Sequence, residues 1–336
     1  LGNVATTIGG AVGNVAGKFM EVVQAVTGTD LSFSGLVSTV AGFEENMARV
    51  GVLTGASNEE FRKMNELTQK LAMNSNFGIE EISSGMIDMA SAGFNANQIL
   101  ENMATVTKLA TSGNIDLARS AEIVANGMNA FNMELTKGNV LDFANTLAVV
   151  ADKSATDINQ LGTALSQCGA QAGAMGYSIQ DVGVLLGIMA DSGVKAGSAG
   201  TALKNVMNRV ASGNSSAAKA IQEYNLHGFE QAMLTGDLTG AMMALCDETE
   251  RYTPAQKQAI AAALAGAYGM NGLLAVMNEG KEGIKEYCEE LEKQNALEEE
   301  RRRVSVLSQE VLDTTKGKMQ QLTSTLGVLA SEVKEK

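Results

Sequence analysis

Between Asn74 and Asn208 the apolar residues step along the chain by three and four, and the pattern is written twice. In the first pass Ile79, Ile82, Met86 and Met89 lead to Gly93; in the second, Ile158, Leu161, Leu165 and Cys168 lead to Ala172. That spacing puts each set on one stripe of a 3.6-residue helix. A second element repeats in the same order, with Ile99, Met103, Val106 and Ala110 answered by Val182, Leu186, Met189 and Gly193. A third follows Ser112-Gly113 with Val124 and Met128-Asn129, and follows Ser192-Gly193 with Leu203 and Met207-Asn208. The passes are offset by 79 to 83 residues, so insertions of about one helical turn fall at the hairpin ends. A further helix through Val140, Ala144, Leu147 and Ala151 bridges them. The expected fold class is all-α, with helical hairpins in a duplicated multi-helix bundle.

The joints have matching chemistry. Gly93-Phe94-Asn95 and Gly176-Tyr177-Ser178 each supply a glycine able to end a helix in the left-handed conformation, an aromatic, and a side-chain acceptor to cap the next helix. Hairpin turns between packed helices are the expectation for both. The rest of the composition agrees. The chain has one proline, Pro254, no Trp, and 18 Met. Proline is excluded from helix interiors, and Met fills irregular gaps between closely approaching helices.

Four segments are expected. Residues 1–43 are expected to form a Gly/Ala-rich leader, mobile or packed on a partner chain, in which Gly9, Gly13 and Gly17 make a ridge at four-residue spacing. Such a ridge permits close helix packing, in a membrane or on a partner chain, though in water it weakens a helix. Residues 44–213 are the duplicated helical core, ending at the polar stretch Ala211–Ser216. Residues 214–280 are a helical segment in which Pro254, after Thr253, opens a helix. Gln258–Asn278 carries no charge, but it is Ala-rich and Ala267–Gly272 breaks it, so a buried hairpin is favoured over a membrane span. Residues 281–336 are a charged long helix or coiled coil, with Met319, Leu322, Leu326, Leu329 and Val333 as a two-heptad seam. Arg301-Arg302-Arg303, directly after Glu298-Glu299-Glu300, reads as a solvated helical stretch with internal charge compensation.

Several functions are disfavoured. A net charge of −13 argues against a phosphate-binding surface, hence against specific nucleic-acid binding. Cys168, Cys246 and Cys288 are widely spaced, which argues against a disulfide framework or zinc site and favours a reducing compartment. Cys168 takes the stripe position that Met89 fills in the other pass, so a core role is expected. The only histidine, His227, has no nucleophile elbow or metalloprotease motif beside it. The adjacent acids Glu44-Glu45, Glu59-Glu60 and Glu80-Glu81 diverge by about 100° on a helix and cannot converge on one bond. No catalytic, cofactor-binding or metal residues are expected, and no enzyme. No signal peptide is visible, and the start at Leu1 points to a segment of a longer protein.

From Phe43 onward the chain resembles the conserved core of phage tail tape measure proteins. The resemblance is carried by Phe43–Val50, Leu53–Ser57, Met89–Phe94, Asp191–Leu203 and Tyr268–Leu273, with Gly193 to Leu203 the most specific piece. It implies a virion structural protein, made in the host cytoplasm, that lies in the tail tube or tip, sets tail length, assists assembly and leaves ahead of the DNA. The partners it implies are the tail tube protein, distal tail or baseplate hub proteins, tail assembly chaperones and further copies of itself, with a trimer favoured. The alternative is a membrane-inserting protein that forms part of a DNA conduit in the host envelope, through residues 1–43 or 258–278.

Overall fold

The computed structural model describes residues 33–314, 317–318, 320–326 and 328. Among them all regular structure is helical, as the periodicity predicts. In chain order the helices are α1 (Phe33–Thr54), α2 (Asn58–Asn74), α3 (Ile79–Ser91), α4 (Ala96–Gly113), α5 (Leu117–Ala130), α6 (Lys137–Lys153) and α7 (Ile158–Ala174). They continue with α8 (Ile179–Asp191), α9 (Ala196–Ala211), α10 (Ser215–Glu223), α11 (His227–Thr235), α12 (Leu238–Thr249), α13 (Pro254–Asn295) and α14 (Arg303–Leu312).

The joints form as the residues dictate. Gly93 and Gly176 take φ of 99° and 78°, and the Phe94 and Tyr177 amides behind them donate to Met89 and Ala172 five residues back. Those bonds satisfy carbonyls that a helix end leaves open. Phe94 and Tyr177 are buried. Asn95 Oδ1 then accepts from the Gln98 amide at 2.9 Å, and Ser178 Oγ from the Asp181 amide at 3.0 Å, so the next helix starts capped. Pro254 sits in the first turn of α13, with Thr253 as N-cap in a capping box with Gln256.

The chain divides into two compact units. The first holds α1 to α3, α4 as far as Thr111, residues Asp116–Ala121 and the residues from Leu307 on. Val40, Phe43, Met47 and Val50 form one buried stripe of α1, facing α3. Thr68 of α2 donates to the Met64 carbonyl at 2.9 Å, with the Met47 and Met86 sulfurs also within reach of its hydroxyl. The stripe explains why the expected leader boundary at residue 43 lies inside a helix: Val40 and Phe43 belong to the same apolar face as Met47 and Val50. Gly9, Gly13 and Gly17 lie outside the described residues.

The second unit takes Ser112–Ile115 and Glu122–Val306. Here α9 packs between α7 and α13, and α8 packs on both α6 and α13. The close crossings rely on missing side chains. A methyl on Gly200 would overlap the Ala164 carbonyl oxygen, and one on Gly127 would overlap the Phe143 ring. In the first unit Gly85 of α3 meets Leu117 of α5 in the same manner. Ala164 follows Gly85 at the offset that separates Ile158 from Ile79. The first helix of each set therefore carries its crossing at the corresponding position, whereas on the third helix the contact lies about one turn further along at Gly200 than at Leu117.

Three expectations are displaced. The polar stretch at Ala211–Ser216 is a turn through Gly213 at φ 61°, but the units divide elsewhere, inside the expected 44–213 core. The break expected at Ala267–Gly272 occurs one residue earlier, at Gly266, with another at Gly280. Residues 263 to 272 do not fold back as a hairpin: Ala263 lies at Arg209 and Gly272 at Ala202, so the segment runs on antiparallel to α9. Finally, the expected long C-terminal helix is present as α13, Pro254–Asn295, but it begins well before residue 281 and a turn separates it from α14. Glu298 and Arg302 adopt extended backbone on either side of a 3₁₀ turn at Glu299–Arg301.

The glycine notch generates a paired prediction. Gly200→Ala should lower stability to chemical denaturation by about 2 kcal/mol or more, because backbone cannot yield to a methyl as a flexible side chain can. Gly138→Ala, where nothing lies within 4 Å, should raise it by about 0.5–1 kcal/mol. Equal effects from the two would remove the close-packing account of α7 and α9.

Candidate assembly surface

The residues singled out from the sequence separate into internal architecture and outward-facing surface. Within Asp191–Leu203, Asp191 Oδ1 accepts from the Ala155 amide at 2.7 Å, which ties the end of α8 to the turn before α7. Gly193 takes φ of 84°, the Val194 amide donates to the Met189 carbonyl, and Gly200 fills the notch on Ala164. Every one of these roles concerns how helices join and cross.

The acids and His227 are equally structural. His227 is the exposed first residue of α11, and the carboxylate of Glu248 accepts from the Gly228 and Phe229 amides behind it. That carboxylate complements the positive end of the helix. Glu60 is held below the usual carboxylate range by the Ser57 hydroxyl and amide, and Glu59 by Lys63. Glu81 accepts from the Gly78 amide at 2.8 Å. An open depression of about 310 Å³ is lined by Asn225, Asp247, Glu248, Glu250 and Arg251. Of its charges, Asp247 pairs with Lys281 at 2.6 Å, Glu248 accepts from the α11 amides, and the Arg251 guanidinium lies over the Tyr252 ring. Among the described residues no group of three His, Cys, Asp or Glu is placed to hold a metal ion. Burial pushes the Cys168 thiol up to about 12 and that of Cys246 up to about 11.

The Arg cluster departs from its reading as a solvated, self-compensated stretch. Arg302 pairs with Asp142, and its Nε donates to the Leu297 carbonyl at 3.0 Å. Arg303 makes a two-bond fork with Asp152, at 2.8 and 2.7 Å. Lys137 reaches Glu299 at 2.8 Å, and Asn145 accepts from the Val304 amide while donating to Asn295. Together these strap residues 295–304 along α6. Partial burial and planar two-bond geometry make the arginine pairs stronger than ordinary surface ion pairs. Sequence reasoning missed the strap because its partners stand some 150 residues away and leave no local signal.

Of the expected seam, Met319, Leu329 and Val333 lie outside the described residues. Leu322 is 42% exposed and Leu326 half-buried, whereas Gly317, Ser324 and Val328 are buried. At about 100° per residue, 317, 324 and 328 share one direction, and 322 and 326 lie about 140–180° from it. Thr323 is buried as well, about 60° from Leu326, so Leu322 is the leucine that points outward and Leu326 sits at the edge of the buried face. Other large apolar side chains left outside include Val52 (83% exposed) in the first unit and, in the second, Leu234 and Tyr268 (93%).

The chain matches the family model described as phage-related minor tail protein over residues 58–266, well over half of its length. It is 29% identical over 243 residues to the tape measure protein of Pneumococcus phage Dp-1, covering 72% of this chain and 21% of that protein. It is 23% identical over 157 residues to a probable tape measure protein of Clostridium phage phiCD119, covering 45% of this chain and 16% of that one. The chain therefore spans about a fifth or less of the length of these curated relatives. No solved structure matches it.

Thiol chemistry checks the burial pattern. Burial raises all three thiols, but only Cys288 is partly exposed, so in the folded protein at pH 8 an aromatic disulfide reagent should react with Cys288 first. The other two should react only on unfolding in urea. Early labelling of Cys168, read by peptide mass spectrometry, would contradict its core placement.

Proposed function

Because the chain belongs to the phage-related minor tail protein family, we propose that it is part of a tape measure protein, a structural component of the phage tail that sets tail length, assists assembly and leaves ahead of the DNA. The observation carrying this reading is the match across residues 58–266. It coincides with helices whose joints, notches and ion pairs are all engaged in architecture. The partners follow from the same reading: the tail tube protein, distal tail or hub proteins and assembly chaperones, at the tube lumen or tip.

Self-association is part of the proposal. An apolar 3-4 seam is best covered by another such seam, because each knob needs a hole formed by a facing helix. Leu322 is 42% exposed and Leu326 is half-buried beside it on the seam, which supports a second copy as the occupant. The acidic composition supports the lumen placement, since a surface that repels phosphate does not adhere to passing DNA.

A second reading, insertion into the host envelope, has one observation in its favour. α13 is long and apolar enough to cross a membrane by length and composition, with 56% of its most apolar window buried. Core helices meet the same criterion. Leakage of dye from liposomes on adding the full chain would favour this reading.

The family reading predicts that mass spectrometry of purified tails finds this chain as a stoichiometric component; particles lacking it would sink the proposal. Leu322→Glu together with Leu326→Glu should lower the solution mass measured by sedimentation and leave far-UV circular dichroism unchanged. An unaltered mass would dismiss the seam as the self-association surface.

A further inference from the structure

We infer that Gly266 and Gly280 are twin hinges, at which α13 converts between the kinked form docked in the second unit and a single straight helix. Both glycines occupy a region of backbone space that essentially only glycine populates: φ 72°, ψ 173° at Gly266 and φ 80°, ψ 172° at Gly280. Strong helix formers, Ala261–Ala265 and Ala267, flank the first hinge; Glu279, Lys281 and Glu282 flank the second, beside the weaker Asn278, and Gly269, Gly272 and Gly283 follow further on. No proline follows in either flank to forbid the helical alternative. The immediate flanks thus permit a straight helix, and contacts from outside it help to hold the kinks.

The structure shows what holds them. A break deprives the preceding turn of its amide partners. Ala263 would ordinarily be paired by the amide of residue 267, and Val276 and Met277 by those of 280 and 281. Arg209 of α9 donates its Nε to the Ala263 carbonyl at 3.0 Å, and its guanidinium lies against Gly266. Cys246 of α12 turns its thiol to the Val276 and Met277 carbonyls, at 3.7 and 4.0 Å. Each kink is therefore answered by a donor from a helix packed against it. Undocking α13 removes both donors and leaves the carbonyls to water, unless the glycines turn helical and restore the intrahelical amides. Closure of the helix and loss of docking are two sides of one transition. The inference is independent of the assembly role proposed above.

Alanine at either hinge disfavours the kinked form and favours the straight one, by about tenfold to a hundredfold per position. The test uses the full chain, with spin labels attached through a bio-orthogonal amino acid at exposed positions 258 and 289, leaving the native cysteines untouched. A straight helix places these positions about 47 Å apart, and any bend shortens the distance. In Gly266→Ala/Gly280→Ala a population near that distance should appear, with helical circular dichroism retained or increased. Arg209→Gln, which leaves the glycines intact, should shift the distribution in the same direction. A double variant that keeps the parent's shorter distance would overturn the inference, because the glycines would not be needed for the kinks. A double variant that loses helical signal and gives a broad distribution would overturn it too, because the breaks would be fixed features of the fold.

Discussion

With a single proline in 336 residues, the chain stops its helices chiefly by a hydrogen bond across a residue at positive φ. At Gly55, Gly93, Gly176, Gly193, Gly213, Gly236, Asn132 and Asn225 the following amide donates to a carbonyl five residues back. The bond satisfies the helix end and reverses the chain in a few residues. Short helices then lie side by side, and their apolar stripes find one another with little loop between them. Loop entropy is kept low, so the buried stripes need not be large to hold the bundle together.

Both units follow from those reversals, although they pack differently. In the first, side chains meet, with Met47, Met64 and Met86 gathered around Thr68, and the notch at Gly85 faces the Leu117 side chain instead of backbone. In the second, backbone meets backbone or ring at Gly200 and Gly127. Thioethers adapt their shape, whereas a glycine notch does not. The second unit is therefore the more exacting about sequence at its crossings, and it holds the most specific stretch of the family resemblance, Gly193 to Leu203.

Helix identity, stripe residues and joint chemistry were legible because each is set by neighbours within five positions. Ile79 through Met89 and Ile158 through Cys168 are all buried, and the caps at Asn95, Ser178 and Thr253 formed as their side chains require. The two-unit division was not legible, because it depends on which helices meet across long sequence separations. The arginine strap was missed for the same reason. Arg302 looked compensated by Glu298–Glu300, yet its partner is Asp142. The seam was legible as a pattern at Leu322 and Leu326. Its direction needed the structure, since Ser324 and Val328 set the inward face.

Whether a glycine at positive φ ends a helix or lets it resume has a local cause. Gly236 and Gly266 share a positive φ but differ in ψ, 15° against 173°, and the first ends a helix while the second lets it resume. Gly55, Gly93, Gly176, Gly213 and Gly236 are each followed within two residues by Ser, Asn or Asp, whose side chain caps the next helix. Capping stabilises a fresh start in a new direction. Gly266 is followed by Ala267-Tyr268 and Gly280 by Lys281-Glu282, which offer no such cap. Gly193 is the exception: Lys195 caps nothing with its side chain, and the turn is completed by Ala196 at φ 48°, a conformation unfavourable for alanine. The strain falls at the one glycine reversal that lacks a capping side chain, and packing of Gly200 on Ala164 four residues later offsets it.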